Sequence, residues 1–253
     1  MGGRFTLGRI VGIEIGIDTS WIIIFLIVTI DLALAVFPVL HPDWSQLLIW
    51  GMAGVASILF FASVLTHELA HSIVARARGL PVNQITLFLF GGISNIEEKP
   101  QTPKTEFLMA LVGPLTSIAL GIILILIGGI STNILRGGVV EFGTRFTELG
   151  PFTTLLLWLG PINIVLGLFN LIPGFPLDGG RVLRSTIWAI TDNFSKATNI
   201  AVWSGRLVSW AFIIIGILMI LGVQIPVFGA GLFNGIWLIF LGWFLNRAAR
   251  ESA

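Results

Sequence analysis

The chain has 253 residues, of which 55% are hydrophobic and only 11% are charged, and its mean hydropathy is +0.97. Soluble domains carry about 25% charged residues, so this composition excludes a water-soluble globular protein and favours several membrane spans. The net charge of +1 argues against a nucleic acid as the partner. Because the chain has no cysteine, disulfides and thiolate metal sites are excluded, and zinc could be held only by histidine and carboxylate groups.

The first 18 residues do not have the pattern of a secretory signal. Arg4 and Arg9 are followed by residues of alternating character (10–18), not by an apolar run that ends in a small-residue cleavage site. Alternation with a period of two is typical of strands. We expect one or two short strands at the membrane surface.

Six later stretches are apolar and long enough to cross a bilayer, allowing for tilt. The expected spans are residues 20–40, 46–74 (helical to 78), 106–130, 152–172, 200–221 and 227–245. No tandem repeat or low-complexity segment interrupts them. The sequence therefore predicts an all-α polytopic membrane protein with about six transmembrane helices, built as a single core over residues 1–253.

Residues 81–97 differ in length and composition from the predicted spans. The segment PVNQITLFLFGGISNIE is too short to cross the membrane as a helix, and it is rich in β-branched and aromatic residues. The pair Gly91 and Gly92 is typical of a turn or sharp bend. We expect a re-entrant or surface β segment, with irregular backbone buried in protein or facing a water-filled cavity.

The basic residues predict the orientation, because cytoplasmic loops of membrane proteins are enriched in Lys and Arg. An even number of spans with both termini in the cytoplasm places twelve basic residues inside and two outside. Those inside are Arg4, Arg9, Arg76, Arg78, Lys99, Lys104, Arg181, Arg184, Lys196, Arg206, Arg247 and Arg250; those outside are Arg136 and Arg145. Both termini are therefore predicted to be cytoplasmic, in a multi-pass protein of the cell membrane.

The second span contains the sequence HELAH. Residues His67 and His71 are four positions apart, so both imidazoles lie on one helix face and can reach a single metal ion. Glu68 projects beside that face, where it can take a proton from a water at the metal. The alternative is a pair of structural histidines satisfied by hydrogen bonds, but it leaves Glu68 without a partner in a medium of low dielectric.

A third ligand has to come from elsewhere in the chain, because catalytic zinc takes three protein ligands and keeps one open position. His41 lies on the predicted outer side, where we expect an exposed turn before Pro42. Asp178 follows the fourth span in NLIPGFPLDGGR, whose prolines and glycines break the helix and let the chain turn back. The alternative for Asp178 is a capping role at a helix N-terminus.

Four segments together resemble the site-2 protease family of intramembrane zinc proteases. They are HELAH in an early span, FGGIS after it, GPLTS in the third span and NLIPGFPLDGGR after the fourth. HExxH alone occurs in many zinc enzymes, whereas its combination with NxxPxxPLDGG in a membrane protein is specific. The similarity runs from GRIVGIEI through the sixth span, and its order and spacing match the branch without an inserted PDZ domain.

The resemblance implies a hydrolase that cuts transmembrane segments of other membrane proteins. It implies one Zn²⁺ per chain with His67, His71 and Asp178 as ligands, and Glu68 as the general base for a zinc-activated water. It suggests that Asn170 holds the substrate or the oxyanion, as a neutral amide can; the alternative is an interhelical hydrogen bond. Members of this branch often carry paired CBS domains after the last span, and this chain stops at RAARESA, where such a linker would begin.

Substrate recognition is expected at the strand around residues 87–93. An extended substrate segment could add to its edge through main-chain hydrogen bonds. Gly91 and Gly92 would let backbone approach closely there, although an ordinary turn explains them equally well. For Asn163 an interhelical hydrogen bond is favoured, and Asp31, deep in the first span, has no assigned partner.

Two other classes of function compete with proteolysis. In a transporter or metal channel, His67, Glu68 and His71 would line an ion path, but no inverted repeat is evident. In a scaffold, a structural metal would be closed by four ligands, and only three good candidates plus Glu68 are present. An oligomer is compatible with the sequence, which does not specify one.

Overall fold

The computed structural model describes residues 4–88, 91–96, 100–131, 146–225, 229 and 231–251. Three of the basic residues used to predict orientation, Lys99, Arg136 and Arg145, lie outside the described residues, as do positions 89, 90 and 97 of the predicted β segment. The described helices are α1 (Thr19–Asp31), a π-helical turn (Leu32–Val36), α2 (Phe37–Leu40), α3 (Gln46–Ala77), α4 (Pro103–Ser131), a 3₁₀ turn (Phe146–Glu148), α5 (Pro151–Asn170), α6 (Asp178–Thr191), α7 (Phe194–Ile220) and α8 (Leu232–Glu251). The strands are β1 (Arg4–Ile10), β2 (Ile13–Asp18), β3 (Val82–Phe88) and β4 (Gly91–Ile96).

Six helical segments are long and apolar enough to cross a membrane, which confirms the predicted multi-pass architecture. They are Thr19–Leu40, Gln46–Ala77, Pro103–Ile130, Pro151–Asn170, Phe194–Ile220 and Leu232–Glu251. The fifth begins six residues before its predicted start, because Asn193 caps it: the Asn193 side chain accepts a hydrogen bond from the Lys196 N–H. Hydropathy cannot detect such a polar first turn.

The four strands form one sheet in the order β1-β2-β3-β4. Strands β1 and β2 are antiparallel, β2 and β3 are parallel, and β3 and β4 are antiparallel. The parallel register sets Glu14 opposite Gln84 and Ile17 opposite Leu87. Both β regions were predicted, but not their union in one sheet, since partner choice across 70 residues leaves no local pattern in the sequence.

The chain divides into two compact units, Met1–Lys99 with Val112–Leu168, and Pro100–Leu111 with Phe169–Ala253. In the first unit, α1, the π-helical turn and α2 pack on α3 around a buried apolar cluster that includes Phe37 and Ile49. A hydrogen bond of 2.9 Å from Thr29 Oγ1 to Ser57 Oγ joins α1 to α3 within this interface. Asp31 is exposed at the end of α1.

His41 is buried, so the expectation of an exposed turn was wrong. Only 1% of its surface is accessible, its ring stacks on Trp44 at 3.8 Å, and its Nε2 lies 2.8 Å from Thr154 Oγ1. Burial lowers the pKa of the His41 imidazole, so the neutral ring is favoured. The residue therefore joins the connection between α2 and α3 to α5 as a packing and hydrogen-bonding group.

The second unit contains a helix, α6, that is not one of the six predicted spans. Helix α6 follows the NLIPGFP segment and carries polar and apolar residues on opposite faces, so its average hydropathy is too low to mark a span. Helices α7 and α8 pack closely through small residues: a Cβ at Gly216 would lie 2.6 Å from the Gly235 carbonyl oxygen.

Candidate metal centre

The two histidines of HELAH lie one turn apart on α3, and both are buried. Each has 4% of its surface accessible, and their Nε2 atoms are 3.1 Å apart. Two nitrogens bound to one zinc ion at about 2.0–2.1 Å would be about 3.3 Å apart at a tetrahedral angle. His67 and His71 therefore present their Nε2 atoms at the separation that a shared ion requires.

The orientation of His67 is set by a serine from another helix. Ser117 Oγ on α4 lies 2.9 Å from His67 Nδ1, and both side chains are buried. When the proton of the neutral ring is on Nδ1, this N–H donates a hydrogen bond to the hydroxyl, and the lone pair of Nε2 is available to a metal ion. Ser117 lies within GPLTS, and nothing in the local sequence links it to position 67.

Gly113, one turn before Ser117, leaves the space that the two imidazoles occupy. A Cβ at this position would overlap His71 Nε2 and would lie 2.8 Å from His67 Nε2. The structure shows that the packing partner of this glycine is the imidazole pair itself.

Glu68 is half-buried beside the histidine face, and Gly92 of β4 packs against it. A Cβ at Gly92 would overlap Glu68 Cγ and would lie 3.1 Å from Cδ. Gly91 has a φ of +130°, a conformation that side chains disfavour. Gly92 thus allows a strand to run directly against the carboxylate that follows His67, whereas a Cβ at Gly91 would meet nothing within 4 Å.

Asp178 is the first residue of α6 and is half-buried. Asp178 thus lies at a helix N-terminus, as its alternative has it, although the N-cap position itself belongs to Leu177. Gly179 and Gly180 make the turn possible, because a Cβ on Gly179 would lie within 2.5 Å of the Leu171 carbonyl group and one on Gly180 would lie 2.5 Å from the Gly174 carbonyl carbon.

His67, His71 and Asp178 form a group of candidate metal ligands among the described residues. One ligand atom from each lies within 4.8 Å of the other two. Two imidazoles and one carboxylate are a donor set that zinc accepts in catalytic sites with one coordination position left open. With the Ser117 hydrogen bond and the space beside Gly113, these residues fit a zinc ion.

The two asparagines have separate environments. Asn163 is buried and donates from Nδ2 to Ser63 Oγ at 3.1 Å and to the Leu159 carbonyl at 2.9 Å, which confirms the predicted interhelical bond. Asn170 is the last residue of α5 and is half-buried.

Comparison with known proteins identifies the family. The model of peptidase family M50 matches residues 55–215, a range that includes HELAH and the NLIPGFPLDGG segment. The chain belongs to peptidase family M50. This M50 chain is also similar to a solved structure, the site-2 protease from Methanocaldococcus jannaschii, at 27% identity and a TM-score of 0.59, over 99% of this chain and 95% of that one. The resemblance to the site-2 protease family is thereby confirmed.

Curated relatives of this M50 chain come from bacteria and archaea. The zinc metalloprotease sll0528 of Synechocystis sp. is 38% identical over 100% of this chain and 62% of its own length. Rip3 of Mycobacterium tuberculosis is 34% identical over 100% of this chain and 59% of its own length. The zinc metalloprotease MJ0392 of M. jannaschii is 32% identical over 86% of this chain and 55% of its own length. The names of the first two assign zinc metalloprotease activity provisionally, and that of the third does so without qualification. The chain spans 55–62% of the length of these relatives.

Proposed function

We propose that this M50 chain is an intramembrane zinc metalloendopeptidase that cleaves transmembrane segments of other membrane proteins. The observation that carries the proposal is the grouping of His67, His71 and Asp178, with Glu68 next to the first of them. The six apolar helices supply the setting, since a site in a bilayer meets substrates that are themselves membrane-spanning. We propose residues 1–253 as a single protease core with one Zn²⁺.

Zinc, when bound, lowers the pKa of water towards neutrality and polarises the scissile carbonyl. The remaining steps are carried out by side chains near the ion. Glu68 accepts the proton of the attacking water and passes it to the amine that leaves, so that one carboxylate acts first as base and then as acid. Asn170 donates from its amide to the carbonyl oxygen as negative charge develops there.

Strand β4 provides a surface for an extended substrate. It is one of the two edge strands of the described sheet, and a helix must unwind before its peptide bonds can be cut. Main-chain hydrogen bonds to the strand edge would hold the unwound segment. They would select substrates by an extended backbone rather than by particular side chains. Because Gly92 contacts Glu68, a segment held at this strand would lie beside the proposed base.

The proposed topology places both termini in the cytoplasm. It rests on the count of twelve basic residues inside against two outside and on the even number of spans. Protease protection of terminal tags in sealed inverted vesicles would test it: both tags should be digested, and a protected tag at either end would contradict the assignment.

Metal removal is the direct test of the enzyme class. Purified chain should contain about one zinc per molecule, and it should cleave a membrane substrate whose helix is weakened by glycine or proline. A chelator should stop cleavage, because loss of the ion removes the Lewis acid, and added zinc should restore it. Zinc-free protein that cuts at the same rate, or zinc uptake into vesicles without cleavage, would contradict the proposal.

Replacing Gly92 by Val is expected to reduce cleavage by about 10²-fold, because the added side chain displaces Glu68 and blocks the approach of the substrate. Zinc content should be unchanged, since no metal ligand is altered. Gly51→Val on α3 is the control for added bulk, because its backbone is helical and a Cβ there meets nothing within 4 Å. Normal turnover by the Gly92 variant would rule out the proposed substrate surface.

A further inference from the structure

We infer that Glu106 and Arg184 are positioning residues that hold the segment carrying Asp178 in place for metal binding. The inference rests on the proposed function, because it takes Asp178 as a ligand. Both residues lie outside the HELAH motif. The proposed mechanism gives neither of them a role, and the sequence predicts only a cytoplasmic position for Arg184.

Glu106 and Arg184 form an ion pair in the interior of the second unit. Glu106 near the start of α4 is fully buried, and the Arg184 side chain on α6 has 15% of its surface accessible. Arg184 donates to Glu106 Oε1 from Nε, at 2.8 Å, and from Nη2. Two bonds from one guanidinium fix both the position and the rotation of that group.

The same guanidinium lies between two aromatic rings. Its carbon is 4.8 Å from the ring centre of Phe175 and 4.8 Å from that of Phe194. Phe175 precedes Asp178 by three residues and Arg184 follows it by six. The contact of Arg184 with Phe175 therefore closes the chain on itself around Asp178.

The segment before Asp178 is also fixed to α7 by its backbone. The Phe175 N–H donates to the Ala201 carbonyl at 3.3 Å, and the Ser204 hydroxyl donates to the Pro173 carbonyl. Gly205 lets the segment approach, since a Cβ there would lie 2.8 Å from the Phe175 nitrogen. Asp178 is thus attached to a segment held from one side by α7 and from the other by the Glu106–Arg184 pair.

The nature of the pair favours positioning over simple stabilisation. A buried ion pair adds little stability relative to apolar residues of similar volume, so its benefit lies in fixing one arrangement. In the described residues, Glu106 Oε2 has no hydrogen-bond partner, which makes the pair a poor choice for stability alone. Holding a ligand in place is a function that apolar packing would perform less well.

The test compares Glu106→Gln and Arg184→Lys with Glu251→Gln in the full chain. Glu251 forms an exposed ion pair with Arg247 in the same unit, so its variant controls for the loss of a salt bridge. The zinc dissociation constant, measured by chelator competition, should rise about 10–100-fold in the first two variants and stay unchanged in the third. The visible spectrum of the Co²⁺-loaded protein should change in the first two as well, because the carboxylate ligand moves.

The outcomes separate this inference from the proposed function. Asp178→Asn should weaken zinc binding more than either pair variant; if it does not, the assignment of Asp178 as a ligand fails. If Asp178→Asn weakens zinc binding but Glu106→Gln and Arg184→Lys lower only the melting temperature, the pair is structural and the inference fails alone. Failure of both pair variants to fold would likewise show a structural role and overturn it.

Discussion

Replacing Glu68 by Gln should reduce peptide cleavage by about 10²–10⁴-fold while the protein still binds one zinc ion. The amide has almost the same shape as the carboxylate, so the packing against Gly92 is kept. It cannot accept the proton of the attacking water, and proton transfer at this step is the contribution assigned to Glu68. The measurement is single-turnover cleavage of a reconstituted substrate, together with zinc content.

A matched control for this substitution is Glu148→Gln, which makes the same chemical change on an exposed turn. It should cleave at the parental rate. The Glu68 variant also separates the competing classes of function, because a scaffold with a structural metal would keep its function without this carboxylate. Cleavage by Glu68→Gln at more than a tenth of the parental rate would contradict the assignment of the general base.

Gly113→Ala is expected to weaken zinc binding by on the order of 100-fold and to abolish cleavage with it. A single methyl group at this position overlaps His71 Nε2 and lies 2.8 Å from His67 Nε2, where it competes with the metal for space. Alanine is otherwise a better helix former than glycine by about 1 kcal/mol, so the helix itself should not suffer. Zinc titration and the melting temperature with and without metal measure the two effects separately.

Gly54→Ala on α3 is the control for this second prediction. It adds the same methyl group to a transmembrane helix at a position where a Cβ meets nothing within 4 Å. It should leave zinc binding and cleavage unchanged. Full zinc occupancy and normal cleavage by the Gly113 variant would show that the imidazole pair can move aside, and the fit of the site to a metal would then need another explanation.

Local patterns in the sequence determined much of the architecture. The six spans follow from composition, since an apolar stretch of about 20 residues is long enough to cross the hydrocarbon core of a bilayer whichever helices pack against it. The shared face of His67 and His71 follows from the helical period, which places positions i and i+4 side by side. The turn at Asp178 was predictable because Pro interrupts a helix and Gly permits backbone conformations that a tight turn needs.

Residues that act across helices could not be recognised in the same way. The hydrogen bond between His67 and Ser117 joins positions 50 apart, and the ion pair of Glu106 with Arg184 joins positions 78 apart. Only the structure shows that Gly113 makes room for the imidazoles. None of these residues differs in its local pattern from ordinary helix residues.

The sequence by itself determined which residues offer candidate metal ligands and how many candidate membrane spans the chain has, because those properties depend on residue type and short-range spacing. The tertiary structure decided the supporting contacts: the union of β2 with β3, the burial of His41 between Trp44 and Thr154, and the groups that orient His67. Such contacts depend on packing between segments far apart in the chain. They are selected by the energy of the whole fold and produce no periodic pattern in the sequence of any one segment.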